Sequence, residues 1–224
     1  MWSFQRFSRK LSLRGQESRK VALKMKQLKI EKGILIVVSA PSGCGKSTVV
    51  RALMEKRNNL RFSVSATTRK PRDGEVEGVD YYFVSREEFN RMVEADAFLE
   101  HAEYVGNCYG TPRDPVERQL SLGYDVYLDI DVQGAMQVKQ LRPQTLMIFL
   151  MPPSMEELER RLILRGKNTP QEIRDRLAAA ERECACRDEF DYTVVNDVVE
   201  RAVAEISDLI DRKKYEINIL NEVF

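Results

Sequence analysis

Short apolar, β-branched runs alternate along the chain with segments whose apolar residues recur at helical spacing. The runs Ile34–Ser39, Asp125–Ile130, Leu146–Leu150 and Tyr192–Asn196 predict strands, and Phe62–Ser65 predicts a shorter fifth. Near-continuous apolar strands separated by helices predict an α/β fold, a parallel sheet covered on both faces. Three helix starts carry the capping box, a hydroxyl with a carboxylate three residues on that together satisfy orphan backbone donors: Ser85 with Glu88, Ser154 with Glu157, and Thr169 with Glu172. The last also has Pro170 at the first helical position. A further helix is predicted from Ser47 to Lys56. The chain contains neither a repeat nor a low-complexity tract.

Two segments break the alternation. Residues 66–82, ATTRKPRDGEVEGVDYY, are polar, turn-rich and dense in charge. Residues 160–187 carry Arg160, Arg161, Arg165, Arg174, Arg176, Arg182 and Arg187. Both read as excursions from the sheet, placed where a ligand could be enclosed. Taken by itself, the arginine-rich helix reads as a solvated face with acid–base partners four residues apart.

Composition narrows the class. With 224 residues, 43% hydrophobic, the chain is long enough for one domain or two small ones with a sizeable core. No apolar run approaches the roughly 20 residues that span a bilayer. A formal charge of +1 gives no global field of the kind that marks a nucleic-acid binder. The charge is uneven, however: residues 1–24 hold seven Arg or Lys and one acid, Glu17. That Arg- and Ser-rich leader has the composition of an organelle transit peptide. A disordered basic tail, or a functional chain beginning at Met25, fits it as well.

The cysteines are Cys44, Cys108, Cys184 and Cys186, and without a secretory signal they read as free thiols. Cys184-Ala185-Cys186 offers half a metal site, which no second pair or local histidine completes. His101 is the single histidine, which argues against a histidine metal centre or a Ser-His-Asp triad.

The first predicted strand runs into SAPSGCGKST, Ser39 to Thr48. The phosphate-binding pattern is G-x-x-x-x-G-K-[ST], and Ala40 stands at its first glycine. Gly43 and Gly45 remain where the backbone must turn or approach a phosphate closely. Lys46 would reach the β- and γ-phosphates, and the Ser47 hydroxyl would bind Mg²⁺. Strand, loop and helix follow in the order the motif requires. Asp129 and Asp131 end a second apolar strand on one face, and an acid there commonly supports the nucleotide's Mg²⁺.

SAPSGCGKST, SATTRKPRDGE, GVDYYFVS, FLEHAEYVGNCYGTP, YLDIDVQGA and VVNDV, in this order, resemble the guanylate kinase family from about Lys32 to near the C-terminus. The resemblance implies a P-loop NTPase-type parallel sheet flanked by helices. It also implies an inserted GMP-binding segment (62–113) and a helical lid (154–190), around a core of 33–61, 114–153 and 191–224. The implied reaction is phosphoryl transfer from ATP to GMP, with Mg²⁺ as cofactor. Ala40, Pro41, Ser42, Gly43, Cys44, Gly45, Lys46, Ser47 and Thr48 would form the ATP cradle, with Arg165 and Asn196. Arg69, Arg72, Tyr81 and Tyr109 would hold the GMP phosphate, and Ser65, Glu100 and Thr111 would read the guanine. Arg161, Arg165 and Arg176 match lid arginines that, with Lys46, act on the transferring phosphate. Ser47 and Asp129 match the metal side, with Asp131 near the metal waters or the guanine amino group.

Two positions depart locally: Cys108 stands where a tyrosine is common, and His101 where a larger residue is common. A cytoplasmic monomer or homodimer without nucleic-acid or membrane partners is expected, or a mitochondrial protein if the leader is a transit peptide. The alternatives are a non-catalytic guanylate-kinase-like module and a P-loop kinase for another nucleoside monophosphate. Lys46, Ser47 and Asp129 argue against the first, and the guanine-reading set against the second.

Overall fold

The β-branched run after Gly33 becomes strand β1 (Leu35–Ser39), buried along its whole length. In the computed structural model, which describes residues 32–166 and 169–223, β1 is the middle of a five-stranded sheet. The leader and Met25 lie outside the described residues, as do Lys167 and Asn168. The strand order is β2 (Leu60–Phe62), β7 (Asp125–Leu128), β1, β8 (Leu146–Met151), β9 (Tyr192–Val195), and every pairing is parallel. Alternate residues of each strand serve opposite faces. Ile36, Val38, Ile148 and Leu150 pack with helices α1 (Lys46–Lys56) and α7 (Val199–Val223). Leu35, Val37, Met147 and Phe149 pack with α3 (Arg113–Ser121) and α4 (Val132–Leu141). Cover on both faces is why these strands read as continuous apolar runs.

A carboxylate is buried at the start of one of these strands. Asp125 is fully buried and accepts hydrogen bonds from Ile34 N (3.1 Å), Asn59 Nδ2 (2.7 Å) and Lys214 Nζ (3.0 Å). The cluster ties α7 to the start of β7 and the loop before β2.

The predicted strand Phe62–Ser65 is not a single strand. β2 ends at Phe62, and β3 (Ser65–Thr67) begins a second sheet ordered β4 (Tyr81–Phe83), β3, β6 (Asn107–Pro112), β5 (Phe98–Tyr104). Ser63 N still bonds Tyr127 O at 3.0 Å, so the chain leaves the first sheet within two residues. β5, β6 and β3 are antiparallel neighbours, while β3 and β4 run parallel. Helix α2 (Arg86–Glu94) covers this sheet through Phe89, against Ala66, Phe98 and Cys108. So small a core needs few apolar positions, so β4, β5 and β6 gave no apolar run to read.

The predicted capping hydroxyls accept from backbone N–H groups as expected: Ser85 from Glu88, Ser154 from Glu157, and Thr169 from Glu172. Only the last completes the reciprocal box. The Glu88 carboxylate binds Arg91 instead, and Glu157 binds Arg160 and Arg161. Helices α5 (Met155–Leu164) and α6 (Pro170–Ala185) pack through Leu158, Leu162 and Ala180. Among the described residues no helix is long and apolar enough to cross a membrane.

Candidate active site

The phosphate loop forms where β1 hands over to α1. Gly43 and Gly45 take φ of 98° and 95°, the left-handed region that favours glycine. Ala40 is not among the residues with positive φ, and it packs against the core. The first glycine of the general pattern is therefore dispensable here. Gly45 is the N-cap of α1 and supplies no side-chain cap, so the helix offers its first N–H groups and its positive dipole end to an anion.

Other elements brace the loop. Asn196 Nδ2 donates to Cys44 O at 2.7 Å, Arg161 donates to the same oxygen at 3.1 Å, and Arg176 donates to Ser42 Oγ at 2.8 Å. The Cys44 thiol points inward to Leu150 O, and burial pushes its pKa up to about 12. This cysteine is a packing residue, and nothing in the spacing of the cysteines distinguished it. Glu183 on α6 also reaches the loop. Burial raises its carboxyl above the usual range, partly offset by a backbone hydrogen bond from Ser42. Sequence reading passed over it among the charges of that helix.

Opposite the loop, β7 ends and Asp129 begins the cleft wall. Lys46 Nζ lies 2.5 Å from Asp129 Oδ1, and Tyr127 donates its hydroxyl to the same oxygen at 3.0 Å. Asp131 stands apart in role: its Oδ1 accepts from Gly134 N at 2.9 Å as the N-cap of α4. Ser47 and Asp129 border a cavity of about 440 Å³ floored by Val50, Met54, Phe62 and Tyr127. A hydroxyl and a carboxylate at its rim are hard oxygen donors. They suit Mg²⁺, which keeps waters and phosphate oxygens as its other ligands.

The second sheet gathers the remaining polar set. Glu100 on β5 and Thr111 on β6 are register partners, and Thr111 Oγ1 donates to Glu100 Oε1 at 2.6 Å. Both are buried. Burial, reinforced by the charge of Asp131, pushes the Glu100 pKa up to about 7 against the opposing pull of Thr111. Ser65 on β3 pairs with Tyr81 on β4, whose ring meets Tyr109 edge-on at 6.2 Å. The Arg69 guanidinium sits 5.4 Å from the Tyr81 ring centre and makes two hydrogen bonds to Glu75, at 3.0 and 2.8 Å. Glu75 also accepts from Arg72 N at 2.8 Å, while the Arg72 residue itself is exposed. Glu75 thus orients the Arg69 side chain and pins the backbone at Arg72, a role its place in "PRDGE" did not reveal.

The arginines of α5 and α6 do not converge on one point. Arg161 is committed to Glu157, Cys44 O and Asn196 O. Arg176 reaches the loop, and Arg165 is exposed at the end of α5.

A family model described as Guanylate kinase matches residues 32–213. The chain belongs to the guanylate kinase family. A guanylate kinase of Thermus thermophilus is 57% identical over 174 residues, covering 78% of this chain and 79% of that protein. One of Clostridium perfringens is 47% identical over 194 residues, covering 87% and 90%. The crystal structure of guanylate kinase from Anaplasma phagocytophilum matches with a TM-score of 0.66 at 39% identity, covering 82% of this chain and 87% of that one. The guanylate kinase match begins just ahead of β1, includes the loop that follows it, and takes in both sheets.

Proposed function

We propose a division of labour within the reaction that membership of the guanylate kinase family entails, ATP-dependent phosphorylation of GMP. Residues 40–48 and the start of α1 take the ATP phosphates. Asn196 holds the loop in shape, and Arg165 stands ready at the end of α5. Lys46 turns from Asp129 to the phosphates, where its charge stabilises the transferring group. Ser47 and Asp129 hold Mg²⁺, which supplies charge neutralisation when bound. Arg69, Arg72, Tyr81 and Tyr109 receive the GMP phosphate, since arginine forks match phosphate oxygens. Glu100, Thr111, Ser65 and Asp131 surround the base. Arg161, Arg165 and Arg176 belong to a lid (154–190) that closes over the core against the GMP-binding segment (62–113). Positioning and charge suffice, with no covalent intermediate.

The observation that carries this reading is the buried Glu100–Thr111 pair. Guanine presents N1–H and a 2-amino group as donors, which a carboxylate accepts, while adenine lacks that donor edge. A buried acceptor left unpaired by the wrong base rejects it strongly. The relatives named guanylate kinase favour this over a non-catalytic module or a kinase for another monophosphate. A cytoplasmic location, a monomer or homodimer, and no nucleic-acid or membrane partner complete the proposal; the bacterial sources of the relatives support the first. A coupled assay with GMP, AMP, dTMP and UMP as acceptors tests it. GMP should turn over far faster than the rest, and comparable rates with AMP would overturn the assignment.

A further inference from the structure

Helix α4 meets the buried carboxylate at one residue and the backbone of its strand at another, one turn on. A Cβ built on Gly134 would lie 2.6 Å from Glu100 Oε2 and 3.1 Å from its carboxyl carbon. The φ of Gly134 is not positive, so space rather than backbone conformation requires glycine there. Glycine also lowers helix propensity, so the helix gains nothing from it. One turn on, Gln137 grips the backbone beside the carboxylate: His101 N donates to Gln137 Oε1 (3.1 Å) and Gln137 Nε2 donates to His101 O (3.0 Å). The same helix is anchored at its start by Asp131, through Gly134 N.

We propose that Gly134 and Gln137 are positioning residues for guanine selection, holding Glu100 at the depth and angle from which it meets the base. The inference rests on the reading of Glu100 as the guanine acceptor. Thr111 occupies Oε1, which leaves Oε2 with room only because no side chain projects from Gly134. Gln137 fixes the height of β5 against α4, so the carboxylate cannot slide along the helix. A methyl group at 134 displaces the carboxylate itself, whereas loss of the Gln137 amide loosens the strand that carries it.

The test compares steady-state kinetics with GMP and with inosine monophosphate, which lacks the 2-amino group, alongside thermal unfolding. Gly134→Ala should fold, raise KM for GMP by about tenfold or more, and leave KM for ATP within about twofold. It should also narrow the preference for GMP over inosine monophosphate, as Glu100→Gln should. Gln137→Ala should shift both quantities the same way by a smaller factor, about threefold. It decides by the same criteria if Gly134→Ala does not fold. An unchanged KM for GMP overturns the inference, as does equal impairment of the two substrates or a joint loss of ATP affinity and thermal stability. If Glu100→Gln narrows the preference and Gly134→Ala does not, this inference alone falls. If Glu100→Gln changes nothing, the reading of Glu100 falls and takes the inference with it.

Discussion

Lys46 Nζ and Asp129 Oδ1 lie 2.5 Å apart, joining the first residue of α1 to the end of β7 across the mouth of the cleft. The pair is part-exposed, with side-chain exposures of 22% and 43%, so its contribution to stability is about 0–1 kcal/mol. In the proposed reaction the pair parks the lysine where phosphates would compete for it. Lys46→Ala should therefore unfold within a few degrees of the parent while phosphoryl transfer falls by roughly 10³ or more. Near-normal turnover in a coupled assay would remove Lys46 from the phosphates.

Glu100 predicts a pH dependence with a definite sign. Its folded pKa is raised from 4.5 to about 7, so the folded protein binds more protons than the unfolded chain between those values. Stability should fall as pH rises through that window, by an amount on the order of 3 kcal/mol. On the proposed reading GMP binding needs the ionised form, so KM for GMP should fall as pH rises from about 6 to about 8. Glu100→Gln should flatten both trends relative to the parent. Matching profiles for the two proteins, in urea unfolding and in kinetics, would refute the assignment.

In the proposed reaction Asn196 acts on ATP through the loop. Its amide is buried and holds Cys44 O, and it lies 2.6 Å from where a Cβ on Gly45 would sit. Asn196→Ala should cost about 1–3 kcal/mol of stability or of ATP binding, with KM for GMP unchanged. Calorimetric titration with a non-hydrolysable ATP analogue reads the binding part directly. Equal loss for both nucleotides would show a global effect instead.

Asp125 should matter to stability alone. Asp125→Ala strands Lys214 and leaves Ile34 N and Asn59 without their acceptor, a loss of about 3–5 kcal/mol in urea unfolding. Nucleotide KM values measured well below the unfolding transition should not move. A shift of less than about 1 kcal/mol would mean that water or a neighbour replaces the acceptor.

The central sheet was legible in the order of residues alone, because strands buried on both faces are predominantly apolar, as residues 35–38 and Leu146–Met151 are. So was the phosphate loop, since Gly43 and Gly45 are needed for local backbone reasons. The three caps were legible too, being satisfied within a single turn. Long-range packing settled the rest. The second sheet is held by a small core and its strands carry polar residues, so no period marked β4, β5 or β6. Glu75 gained its place from Arg69, Asn196 from a loop 152 residues away, and Asp125 from a lysine 89 residues along the chain. Nothing in the sequence around Gly134 shows that β5 brings Glu100 against it. Local conformation is fixed by neighbours in the chain, whereas a polar side chain acquires its role from whichever donor or acceptor folding brings within about 3 Å.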